Sequence, residues 1–126
     1  MLMWKRNATD RYLYTIHTIR EKYLCVRAVD VAHYLQVSKA SVSTMVHLMQ
    51  KQGLIEVEPD GNLLVTPPGM ERVDLLDRRI CYFREFLADA GVDPSLALQD
   101  AVSFSWEMSE ASFQALKAAL ESPGPA

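Results

Sequence analysis

The stretch Gln36-Val37-Ser38-Lys39-Ala40-Ser41-Val42-Ser43-Thr44-Met45-Val46-His47-Leu48-Met49-Gln50-Lys51-Gln52-Gly53 decides the fold. Val42, Met45, Val46 and Met49 recur at helical spacing and make one apolar stripe. Ser38 stands where an N-cap belongs, and Gly53 ends the helix. The opposite side carries Ala40, Ser43, Thr44, His47 and Lys51. It is small, polar and basic, and it holds no carboxylate. A helix of this kind docks by its stripe and keeps a slim polar outer face.

Working outward, Tyr12, Leu13, Ile16, Ile19 and Tyr23 predict an amphipathic helix over about residues 8–23, with Thr9 or Asn7 as its cap. A link through Cys25 and Val26 reaches Ala28. Val29, Val31, Ala32 and Leu35 then predict a short helix, with Asp30 in its first turn, where the dipole favours an anion. Downstream, residues 54–58 and 63–66 read as two short strands around Pro59-Asp60-Gly61-Asn62, a hairpin signal. Pro67-Pro68-Gly69 opens a long helix over about 68–90. Its apolar positions Val73, Leu76, Ile80, Phe83 and Leu87 have the spacing of a packing seam. Gly91-Val92-Asp93-Pro94 turns into a helix over about 94–106, and Ser109-Glu110 opens a last one through Leu120. The tail, residues 121–126, is expected to be disordered.

Helix, short helix, turn, helix, hairpin is the order of a winged helix-turn-helix. The expected fold is mainly α, with a winged helix-turn-helix DNA-binding lobe over 1–69 and an α-helical dimerisation lobe over 70–126. A third helix with a slim polar face suits a DNA major groove about 12 Å wide. The residues expected to meet duplex DNA are Ser38, Lys39, Ala40, Ser41, Ser43, Thr44, His47 and Lys51. Ser38, Lys39 and Ser41 offer backbone N–H groups and hydroxyls to phosphates. His33 also reads as a surface or phosphate-contacting residue. The hairpin is expected to lie along the backbone as a wing, yet it carries Glu56, Glu58 and Asp60 and no Lys or Arg.

Charge is divided along the chain. Residues 1–58 hold 8 Lys and Arg against 5 Asp and Glu, net +3; residues 59–126 hold 5 against 11, net −6. The first part suits a polyanion and the second does not. A chain of 126 residues, 49% hydrophobic and 23% charged, reads as an ordinary globular protein. Its apolar runs are too short to span a membrane. The opening Met1-Leu2-Met3-Trp4-Lys5-Arg6 lacks the pattern of a secretory leader, so a cytoplasmic protein with Cys25 and Cys81 reduced is expected. There is no Gly-rich phosphate loop and no nucleophile paired with a base, which argues against an enzyme.

Over about residues 8–120 the chain resembles the diphtheria-toxin-repressor/manganese-transport-regulator (DtxR/MntR) family of bacterial metalloregulators. The likeness rests on Tyr12-Leu13-x-x-Ile16, Ser41-Val42-Ser43-x-Met45-Val46, Gly53-Leu54-Ile55, Leu64-x-Thr66-Pro67-x-Gly69 and Gly91-Val92-Asp93. It implies a transcriptional regulator, a homodimer and a palindromic operator. Leu76, Ile80, Phe83 and Leu87 are the expected dimerisation residues, because their stripe is too apolar for water. The family switches on Mn²⁺ or Fe²⁺. Carried over residue by residue, its ligand positions fall on Arg11, Tyr14, Ile80, Val102, Ser105 and Trp106, with Arg84 one turn beyond Ile80. None is a carboxylate, imidazole or thiolate, which such ions need. The expectation is therefore no metal cofactor. The alternative is Mn²⁺ or Fe²⁺ held by displaced donors such as His17, Cys81 or Glu107, with Asp77 nearby. Arg11 is expected either to clamp the lobes through Asp100, Glu107 or Asp77, or to be solvated. A dimeric winged-helix scaffold for a protein partner is the other reading. Strong salt-dependent DNA binding would distinguish the two.

Overall fold

The computed structural model describes residues 8–122. Helices α1 (Ala8–Tyr23), α2 (Ala28–Leu35) and α3 (Lys39–Lys51) come first. Strands β1 (Ile55–Val57) and β2 (Leu63–Val65) follow, then helices α4 (Pro67–Asp89), α5 (Pro94–Glu107) and α6 (Glu110–Glu121). Thr9 lies inside α1 and does not cap it, while Asn7 lies outside the described residues. The tail reading fails at its start, because Glu121 is helical; residues 123–126 lie outside the described residues.

The caps follow from the side chains. Ser38 Oγ accepts the Ser41 N–H at 3.1 Å and starts α3. Asp93 and Ser109 act alike at α5 and α6, accepting the Ser95 and Ser112 N–H groups at 3.1 Å. At α2 the Asp30 carboxylate takes the Arg27 N–H at 2.8 Å. Gln36 closes α2 in the left-handed region at φ 55°, which lets the Val37 N–H reach the Ala32 carbonyl and makes the turn tight.

The chain divides into two compact units, one up to Asp77 and the other from Arg78 on. That division falls inside α4, eight residues beyond the expected 69/70 junction. In the first unit Leu13, Ile16, Val26, Val31, Val42 and Met49 are fully buried, and Ile55 and Leu63 nearly so. Each such side chain stabilises the fold by about 1.5–3 kcal/mol. The hairpin pairs Ile55 with Val65 and Val57 with Leu63 in antiparallel register. Thr66 fastens it to α3 by donating to the Gly53 carbonyl at 2.5 Å. Gly69 then passes so close to β1 that an added Cβ would stand 2.2 Å from the Leu54 carbonyl oxygen.

In the second unit Ala97, Ala101 and Ser105 form the buried face of α5. The rings of Phe83, Phe104, Phe113 and Tyr82 meet at centroid distances of 5.6–5.7 Å. Arg79 is buried among them. It donates to the Ser105 and Met108 carbonyls at 2.7 and 2.5 Å and to Glu110 Oε1 at 2.6 Å, and it lies 5.0 Å from the Phe113 ring centroid. The α4 seam differs from the expectation of an intermolecular stripe. Val73, Leu76, Ile80 and Phe83 are buried within the chain itself, at 0–7% exposure, so a second chain is not what covers them. Leu87 is half-buried.

Candidate nucleic-acid interface

Helix α3 and its N-cap Ser38 carry the eight residues expected to meet DNA, while His33 lies on α2. The α3 stripe of Val42, Val46 and Met49 is buried against the first unit. That packing fixes which side turns out. Ser38, Lys39, Ala40, Ser41, Ser43, Thr44, His47 and Lys51 are all exposed. The first turn contains no acid, and Lys51 lies in the last turn. Some hydroxyls are already engaged locally. Ser38 Oγ donates to Ser41 Oγ at 2.9 Å, and Thr44 donates to the Ala40 carbonyl at 3.0 Å. Their oxygens keep acceptor capacity toward base amino groups. Gln50 is exposed as well, and the sequence reading omitted it. So is Leu48, an apolar residue at 41% exposure that the amphipathic pattern does not account for.

An open groove runs beside the start of α3, lined by Val29, Ala32, His33, Gln36, Val37 and Lys39. It places His33 of α2 and Lys39 of α3 along one depression, so two groups able to meet phosphate border the same turn.

The wing is built differently from the rest of this face. Asn62 is its hub. Its Oδ1 accepts the Val26 N–H at 3.0 Å and an Arg20 N–H at 3.4 Å, while its Nδ2 donates to Glu58 at 2.6 Å. Arg20 also reaches the Leu63 carbonyl at 3.0 Å, and the Leu63 N–H bonds the Val26 carbonyl at 2.8 Å. Arg27 holds the tip, donating to the Asp60 carbonyl at 3.0 Å and to its carboxylate at 3.4 Å. Two of the basic residues of the first part are thus committed to the wing. Glu56 and Glu58 stay exposed beside Val57. Nothing local in the sequence signals this stitching, because Asn62 stands in a turn and the partners of Arg20 and Arg27 lie 42 and 33 positions away.

The positions to which the family resemblance assigns metal ligands are chemically unsuited to a cation. Ile80 is buried and apolar, and Ser105 spends its hydroxyl on the Ala101 carbonyl at 2.6 Å. Arg11 is itself a cation, Val102 is apolar, and Tyr14 and Trp106 are aromatic. Among the described residues no three His, Cys, Asp or Glu side chains converge on one point.

Residues 6–63 match the family described as "Iron dependent repressor, N-terminal DNA binding domain". The HTH-type transcriptional regulator MntR of Listeria monocytogenes is 30% identical over 100 residues, spanning 79% of this chain and 70% of the relative. The diphtheria toxin repressor of Corynebacterium glutamicum is 29% identical over 105 residues, spanning 82% of this chain and 46% of the relative. The crystal structure of the metal-dependent transcriptional regulator MtsR superposes with a TM-score of 0.73 at 26% identity, covering 91% of this chain and 54% of that one. The chain thus spans about half the length of these last two proteins. These likenesses overturn the expectation of no metal cofactor, since the matched family is that of iron-dependent repressors and the MtsR structure is that of a metal-dependent regulator. No helix among the described residues is long and apolar enough to cross a membrane. A buried stripe on α3, a polar basic outer face, a short wing and a following helical unit, matched by these sequences, show that the chain belongs to the DtxR/MntR family of transcriptional regulators.

Proposed function

We propose that the chain binds duplex DNA as a homodimer and regulates transcription in the cytoplasm from a palindromic operator. The observation that carries the reading is α3, whose eight expected contact residues are all exposed on a face free of carboxylates. Lys39 and Lys51 supply phosphate contacts near its two ends, while Ser43, Thr44 and His47 face base edges. The wing contributes little affinity, because its acids face outward and Arg27 is spent on Asp60. A dimer is supported by the second unit. Phe86, Leu96, Leu98, Phe104, Leu116 and Leu120 are exposed there at 36–51%, an apolar set that a second copy would cover. Two-fold symmetry then matches a two-fold site. Following the metal dependence named for its relatives, the regulator responds to iron or manganese.

The test is selection of bound sequences from a random duplex library, then anisotropy titrations over a range of salt. Inverted half-sites and a steep salt dependence are expected. Lys39→Ala should weaken binding on all sequences and lower the salt slope by about one. Weak binding without salt dependence would instead favour a protein-interaction scaffold. Sedimentation equilibrium showing a monomer at micromolar concentration would remove the operator reading.

A further inference from the structure

Arg27 stands at the head of α2, where its N–H donates to the Asp30 carboxylate at 2.8 Å. Its side chain turns to the wing tip. Nε donates to the Asp60 carbonyl at 3.0 Å, and Nη2 reaches the Asp60 carboxylate at 3.4 Å. Both side chains stay open to water, Arg27 at 48% exposure and Asp60 at 62%. The second Asp60 carboxylate oxygen accepts the Asn62 N–H at 3.0 Å, which holds the carboxylate in place from within the turn.

This cation lies on the helix that adjoins the DNA-reading face. Val29 and His33 of α2 line the same groove as Lys39 at the start of α3. In a helix-turn-helix the first helix crosses the phosphate backbone while the second enters the groove. A basic residue at the N-terminus of that first helix, where free N–H groups also point, is placed for a phosphate. In this chain the residue already has an anion. Phosphate and the Asp60 carboxylate are rivals for one guanidinium. Residues 54–66 contain Glu56, Glu58 and Asp60 and no Lys or Arg, so the wing offers DNA no cation in exchange.

We infer that Asp60 sets the strength of DNA binding by holding Arg27 away from phosphate. The inference rests on the DNA reading of α3 and adds a residue to it. Asp60 is a positioning residue, because it acts through Arg27. An exposed ion pair of this kind holds weakly. It is intramolecular, however, so Asp60 competes at every DNA concentration. While the pair is closed, one phosphate contact and its counterion release are missing. Binding is then weaker on every sequence, because a phosphate contact carries no sequence information.

Anisotropy titration of the full chain with a labelled duplex of mixed sequence, from about 50 to 200 mM salt, reads the missing contact as a slope. Asp60→Ser keeps a hydroxyl for the Asn62 N–H and removes the charge. It should tighten binding about two- to fivefold at low salt. It should also steepen the dependence of log affinity on log salt by about one. Arg27→Gln alone should leave the slope at its wild-type value, and Asp60→Ser combined with Arg27→Gln should return it there. Glu56→Gln removes the same charge from the wing without a bond to Arg27, and should shift the slope less than half as much. Salt-dependent binding by the wild-type chain with a slope that Asp60→Ser does not move would overturn the inference and leave the DNA reading standing. So would a gain that persists in the double variant, an equal gain from Glu56→Gln, or a flatter slope in Arg27→Gln alone. A wild-type chain without salt-dependent binding overturns the DNA reading and this inference together.

Discussion

Replacing Arg79 by Met tests the packing logic of the second unit. The guanidinium is 8% exposed as a side chain and spends its N–H groups on the Ser105 and Met108 carbonyls and on Glu110. Those carbonyls lie at the C-terminal end of α5, where a cation also meets the helix dipole. Met keeps an apolar stem of similar length and so spares the packing. It leaves the buried Ser105 acceptor unpaired, which costs about 1–3 kcal/mol. The Glu110 partner counts for little, because half of it faces water. Arg79 Nε is itself buried without a partner, so removing it returns part of the loss. The net expectation is about 2 kcal/mol, the cost of the orphaned carbonyls less what the removal of Nε returns. In a chain of this size that lowers the melting temperature by about 8 °C. Thermal melts followed by circular dichroism measure it, and amide exchange should quicken in α5 and α6 before α1 to α3. Arg79→Lys should fall between, since it keeps the charge and loses the fork. An Arg79→Met variant melting within about 2 °C of the parent would refute the reasoning.

Three further outcomes follow from other contacts. Gly69→Ala sets a Cβ 2.2 Å from the Leu54 carbonyl oxygen and 2.8 Å from a Val65 methyl, so the urea midpoint should drop by the equivalent of about 1–3 kcal/mol with the slope unchanged. Asn62→Ala leaves the Val26 N–H without its acceptor and loosens Arg20; exchange at the Val26 amide should quicken and stability should fall by about 1–3 kcal/mol. The Glu110 carboxyl is held below its ordinary value of 4.5 by Gln114 and then Arg79, against the opposing effect of burial. Its contribution is complete above 4.5 and is lost as pH falls through the lowered value, so Glu110→Gln should flatten the acid limb of a stability profile below that point.

Much of the fold was legible because helical periodicity and caps are local. The α3 stripe, Ser38 and Gly53 set that helix within its own eighteen-residue stretch, and Asp60-Gly61 marked the hairpin turn in the same way. The face of α3 turned to water followed from the stripe alone. What stayed hidden depends on which residue meets which across the chain. The seam on α4 carries an apolar period that says it is covered, and a period does not say by what. The structure buries Leu76, Ile80 and Phe83 inside one chain and leaves Phe86 and Phe104 outside. In sequence Arg79 is simply one of two adjacent arginines. Tertiary packing alone separates it from Arg78, which is exposed. The missing family ligands were legible as residue types, but the inference from their absence to an absence of metal use was not sound.

The sequence by itself determined the order of elements, the polar identity of the α3 face and the basic character of the first part. Each depends on spacing, capping or composition within a few turns of chain, where backbone geometry allows little else. Tertiary structure alone decided that Arg20 and Arg27 serve the wing through Asn62 and Asp60, that Arg79 closes the end of α5, and that Asp77 of α4 feels the charges of His17 and Glu21 on α1. Those pairings join residues 26 to 60 positions apart, and no local propensity encodes a partner at that distance. They are chosen by which side chains the buried core leaves facing one another.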